Sequence, residues 1–95
     1  MKILFRNFRC KIGEIDIIAK DKDYWVFIEV KFRRTTEKGF SSEAVDYKKI
    51  KKICKVSDYF RMTNGLDENT PVRYDVLSIQ GEEIEWIHNA FEYCN

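Results

Sequence analysis

The sequence predicts an α/β fold, a small mixed β-sheet carrying one main helix, and three observations predict it. Four runs rich in Val, Ile, Leu and aromatic residues, at 3–9, 14–20, 24–32 and 73–79, have the length and composition of strands. Between the third and fourth, Ile50, Ile53, Cys54, Ser57 and Phe60 follow the i, i+3, i+4, i+7, i+10 spacing of one inner helix face. A strand–helix–strand unit of this kind makes its two strands parallel neighbours with a right-handed crossover, whereas the short links before it make antiparallel ones.

Each element has its own local reasons. Gly13 turns the first run into the second, and Asp21-Lys22-Asp23 reads as a turn into the third because Asp with short polar neighbours favours turns. Residues 33–43 form a polar loop. Asp46 is an N-cap for a helix over 47–62, and Asn64-Gly65 is its stop. A loop over 66–71 leads to the strand at 73–79. Gln80-Gly81 then turns into a fifth strand at 84–87, and 89–95 reads as a tail.

The bulk numbers bound the function. Ninety-five residues make a single domain, 1–95, and 44% hydrophobic content with 15% aromatics excludes a disordered chain. No run approaches the apolar length of a membrane span and no signal peptide opens the sequence, so a protein neither secreted nor membrane-spanning is expected. Cys10, Cys54 and Cys94 are an odd, scattered set, and with the single His88 they offer no zinc spacing; a reduced cytoplasm fits them, with Cys54 as a small core residue. Residues 1–63 hold 16 Lys/Arg against 9 Asp/Glu, a net of +7, while residues 64–95 hold 1 against 7, a net of −6. That division suggests a side facing a polyanion.

The residues that carry chemistry are an acid–acid–lysine set. Asp16 lies in Glu14-Ile-Asp-Ile-Ile-Ala19, and Glu29 and Lys31 lie in Phe27-Ile-Glu-Val-Lys31, both otherwise apolar. Charges on strands of this kind are costly unless they hold a cation or do chemistry. A hairpin whose paired residue numbers sum to 45 sets Lys20 against Trp25, Ile18 against Phe27, Asp16 against Glu29 and Glu14 against Lys31. Ile15, Ile17 and Ala19 then pack on the other face, and a slip of one residue would separate the acids. Two facing carboxylates repel, and Mg²⁺, with Mn²⁺ as a substitute, suits one or two carboxylates plus waters and phosphate oxygens. The plainer reading is a hairpin decorated with cross-strand charge pairs.

Taken in order, Arg6-Asn-Phe-Arg9, Gly13-Glu-Ile-Asp-Ile-Ile-Ala19, Val26-Phe-Ile-Glu-Val-Lys-Phe-Arg33, Glu43-Ala-Val45, Arg73-Tyr-Asp-Val76 and Ile87-His-Asn-Ala-Phe91 resemble the YraN-like family of small bacterial proteins, almost end to end. That family is similar to the restriction-endonuclease-like (PD-(D/E)XK) superfamily, close in its core to archaeal Holliday-junction resolvases. The resemblance implies a restriction-endonuclease-like core with Asp16, Glu29 and the Val30 carbonyl as metal ligands. It also implies Lys31 as the group that positions or activates the attacking water. The family places a helix, with a further acid, before its first strand; here Met1 directly precedes Ile3-Leu-Phe-Arg-Asn7. The resemblance therefore leaves three expectations: a start further upstream, Glu14 or Glu43 as auxiliary acid, or weak chemistry. It also implies uncovered apolar sheet surface and a homodimer.

The expected function is metal-dependent endonuclease-like hydrolysis or binding of the DNA backbone, with branched DNA among the substrates suggested. Arg33, Arg34, Lys48, Lys49 and Lys52 are the candidate phosphate contacts. A catalytically weak or inactive nucleic-acid-binding module of the same fold is the alternative, and an interaction domain with an acidic C-terminal portion is a third. His88, Trp25 and Trp86 are read as structural, and Asp75 as a core ion-pair or capping residue.

Overall fold

The computed structural model describes residues 1–33 and 46–93. Its elements are β1 (Lys2–Arg9), β2 (Glu14–Asp21), β3 (Tyr24–Arg33), α1 (Tyr47–Thr63), β4 (Val72–Gln80) and β5 (Glu83–Phe91). They form one five-stranded sheet in the order β1-β2-β3-β4-β5. The β1/β2, β2/β3 and β4/β5 pairs are antiparallel, and the β3/β4 pair, bridged by α1, is parallel. This is the α/β architecture expected, and it is compatible with a restriction-endonuclease-like core. The expected polar loop at 33–43 falls almost wholly outside the described residues.

The helix is fixed at both ends and along one face. Asp46 caps it, its side chain accepting from the Lys49 N–H at 2.9 Å, and Asn64 and Gly65 close it, with Gly65 at φ 68. Ile53, Cys54, Val56, Ser57 and Phe60 are buried against the sheet. Phe60 is the centre of the packing. Its ring lies 5.4 Å from Phe5, 5.3 Å from Phe8, 5.5 Å from Trp25 and 5.8 Å from Phe27, so one side chain ties α1 to β1 and β3. The opposite face of the sheet holds a smaller cluster of Ala19, Val26 and Ile28, flanked by Ile17 and Leu77.

Two departures from regular strand geometry matter. Ile18 and Ile15, three residues apart on β2, both join the core beneath α1, as do their β1 partners Phe5 and Phe8. Strict alternation would send one of each pair to the other face. The twist is absorbed between them, where Asn7 takes φ 54, a left-handed conformation that Asn tolerates better than most residues. The expectation that Ile15 packs with Ile17 and Ala19 is thereby corrected.

The second departure is at β5, which runs to Phe91 rather than ending at Ile87, so residues 89–91 of the expected tail are strand. The β4/β5 register shifts between Tyr74 and Val76, and Asn89 there takes φ 51.

Candidate metal-binding site

The β2/β3 ladder has the expected register, Ile17↔Ile28 through Asp21↔Tyr24, but it stops at Ile17↔Ile28. Beyond that point β2 stays with β1, through Phe8↔Ile15 and Arg9↔Glu14, while β3 stays with β4 as far as Arg33↔Gln80. The two strands part. Asp16 and Glu29 are therefore not a ladder pair, and Glu14 does not face Lys31; its carboxylate binds the Arg9 guanidinium at 2.7 Å.

The parting opens a cleft of about 480 Å³ lined by Arg6, Asn7, Asp16, Ile17, Glu29, Val30, Phe32 and Lys49. Asp16 occupies the position a strand partner would have taken. Its Oδ2 accepts the Val30 N–H at 2.8 Å. In an extended strand the N–H and C=O of one residue point to the same side, so the Val30 carbonyl is directed to the same edge.

Glu29 is 7% exposed. Burial, followed by the neighbouring Asp16 carboxylate within hydrogen-bonding reach, raises its pKa from 4.5 to about 7, with Lys49 opposing the rise. Lys49 reaches in from the first turn of α1, its Nζ 3.2 Å from Glu29 Oε1.

The site thus brings together Asp16, Glu29 and Val30, and adds Lys49 from the set expected to contact phosphates. Lys48 and Lys52 border a shallow groove with Lys49 and Asp46 on the outer side of the helix. Lys31 is exposed on β3 opposite Ser78 and does not line the cleft. Arg34, Glu43 and the side chain of Arg33 lie outside the described residues. Among the described residues, no third His, Cys, Asp or Glu converges on the two acids. Arg6 and Asn7 were not singled out as site residues; their place in the cleft follows from the twist at Asn7, which no local pattern announces.

The donor set fits a hard divalent cation. Two carboxylates and a backbone carbonyl edge are oxygen ligands, and Mg²⁺ commonly takes one or two carboxylates and keeps several waters. A buried acid raised by an adjacent acid is also the electrostatic strain that a cation between them relieves.

Comparison with known proteins now places the chain. The model of the uncharacterised protein family UPF0102 matches residues 1–79. The chain belongs to that family. This UPF0102 chain is 47% identical over 91 residues to a UPF0102 protein of Lachnoclostridium phytofermentans, covering 96% of this chain and 77% of the relative. It is 48% identical over 92 residues to one of Clostridioides difficile, covering 95% and 80%. A Fusobacterium nucleatum UPF0102 protein is 44% identical over 88 residues, with 93% and 73% covered. The family is the YraN-like one that the motifs resemble. No helix among the described residues is long and apolar enough to cross a membrane.

Proposed function

We propose that this UPF0102 protein is a divalent-metal-dependent nuclease-like domain that acts on the DNA phosphodiester backbone, branched DNA included. One observation carries the reading: a buried Glu29 carboxyl and Asp16 within reach of each other, at a cleft where β2 and β3 part and the Val30 backbone edge points in. Asp16, Glu29 and the Val30 carbonyl would hold Mg²⁺ or Mn²⁺. When bound, such an ion supplies Lewis-acid stabilisation and lowers the pKa of a bound water.

The chain's own residues do the rest. Asp16 orients the site by clamping the Val30 N–H, which fixes β3 against β2 where the ladder has ended. Glu29 must give up its proton to act as a ligand, and a neighbouring positive charge favours that loss. Lys31 lies outside the cleft lining but is two residues from Glu29 on the same strand face, and as a compact charge on a flexible stem it would orient the attacking water or meet the negative charge of the transition state. Arg33, Arg34, Lys48 and Lys52 contact phosphates, positioning a duplex without reading its sequence. A homodimer and a cytoplasmic location complete the reading.

A second reading rests on Lys31, which lies outside the cleft lining. On that reading the domain binds nucleic acid without turnover. The two separate cleanly in one experiment. Calorimetry with Mn²⁺ is expected to show weak binding that Asp16→Asn or Glu29→Gln removes, and a labelled junction or duplex is expected to be cut in Mg²⁺ or Mn²⁺ and spared in EDTA. Metal binding unchanged in both variants rejects the site. Metal and DNA binding with no cleavage selects the binding module.

A further inference from the structure

The ammonium of Lys49 sits 3.2 Å from Oε1 of Glu29, an atom that the proposed function assigns to a metal ion. Glu29 is buried, yet the Lys49 side chain is 55% exposed, so the amine reaches a buried carboxylate from solvent. Its backbone is held, because the Lys49 N–H donates to the Asp46 cap at 2.9 Å. Its four-carbon stem is not. The same side chain lines both the cleft at Glu29 and the groove it shares with Lys48 and Lys52. Lys49 therefore has two places to put its charge, one on the acid and one facing outward among lysines.

We propose that Lys49 is the internal counter-cation of Glu29, that a divalent metal ion displaces it, and that the freed amine then contacts a backbone phosphate of bound DNA. The inference rests on the metal-site reading above and goes beyond it by coupling the two ligands. Two cations repel at contact distance on one carboxylate, so metal entry favours departure of the ammonium. Departure leaves no charge uncompensated, because the metal ion takes over the buried carboxylate and the exposed amine returns to water. A free Lys ammonium offers three donors on a flexible stem, which suits a phosphate. Linkage then requires that metal strengthen DNA binding and DNA strengthen metal binding by the same factor.

The test is calorimetry of Mn²⁺ with the wild type, Lys49→Met, Lys55→Met and Asp16→Asn, and anisotropy of a phosphorothioate duplex with and without Mn²⁺. Lys49→Met keeps the stem and removes the charge, and is expected to bind Mn²⁺ about threefold more tightly, the value of a weak competing ion pair. Lys55→Met removes the same charge about 9 Å further along the helix axis and is expected to change affinity less. Mn²⁺ is expected to tighten duplex binding by the wild type more than by Lys49→Met. Wild-type Mn²⁺ binding that Asp16→Asn abolishes, with Lys49→Met no tighter than Lys55→Met, overturns the role of Lys49 and leaves the metal site standing. Absence of Mn²⁺ binding in both the wild type and Lys49→Met overturns the metal site and this inference with it.

Discussion

Asp16 and Asp75 each accept a backbone N–H that the sheet ladder leaves out, from Val30 at 2.8 Å and from Asn89 at 2.8 Å. They differ in what remains. Asp75 is 0% exposed and also accepts from Trp86 Nε1 at 2.9 Å and from Arg73 Nε at 3.1 Å, while Arg73 Nη1 reaches Asp21 at 2.9 Å. Its oxygens are spoken for, and its role is to hold β4, β5 and the β2/β3 turn together. Asp75→Ala leaves the half-buried Arg73 guanidinium with Asp21 alone and takes the acceptor from the Trp86 indole N–H and the Asn89 N–H; a loss of about 2–4 kcal/mol in urea unfolding is expected. At Glu29 the sign is opposite. Its pKa in the fold is raised from 4.5 to about 7, so between those values the folded state binds more protons and stability falls as pH rises. Glu29→Gln is therefore expected to be more stable than the wild type at pH 8, by on the order of 2 kcal/mol, with the gain gone near pH 4. Melting curves at the two pH values measure it, and a gain independent of pH would show that Glu29 ionises normally.

At the scale of elements, the helix and the strands depend on different kinds of information. The α1 boundaries follow from Asp46, from the 3.6-residue spacing of Ile53, Cys54, Ser57 and Phe60, and from Asn64-Gly65, all local signals, and the structure reproduces them within a residue. Phe60→Ala removes the ring through which α1 packs on the aromatic residues of β1 and β3 and is expected to destabilise by about 3–5 kcal/mol in denaturant unfolding. The inner β2/β3 register was equally legible, because the turn after Asp21 and the apolar runs on both sides leave one good pairing. Its outer end was not. Where β2 leaves β3 is decided by the twist at Asn7 and by Asp16 capturing the Val30 N–H, both contacts between distant segments. The reach of β5 to Phe91 was hidden for a similar reason, since Asn89 interrupts the pattern and its N–H is satisfied by Asp75. Asp16 and Glu29 stood out by type, as charges on apolar strands. Lys49 was legible only as one basic residue among several, because its partner Glu29 lies on another element.

The strand order turns a division along the chain into one across the molecule. β1 and α1 carry the excess of Lys and Arg, and β5 with the turn before it carries the acidic residues 82, 83 and 85, so opposite edges of one sheet bear opposite charge. The face away from α1 adds an apolar groove of about 430 Å³ lined by Met1, Ile3, Ile17, Ile28, Leu77 and Trp86. Pairing of two copies over this face is the expected form of the homodimer. Sedimentation at micromolar concentration is expected to show it, Leu77→Glu is expected to disperse it, and a wild-type monomer throughout rejects it. The charge division also says where DNA should lie. On the proposed function a polyanion is expected to be steered to the α1 side and kept from the β5 edge, with its contacts near the cleft that holds Asp16 and Glu29. Binding measured against salt tests this directly. The log–log slope on duplex DNA should fall in magnitude by about 0.9 for each phosphate contact removed. Replacing Lys48, Lys49 and Lys52 together by Ala is expected to flatten the slope by up to about three such steps. Neutralising Glu82 and Glu83 at the opposite edge raises affinity slightly through the overall field and leaves the slope unchanged, since no counterion is released there. A slope untouched by the triple lysine variant would place the DNA on another surface, away from the two acids.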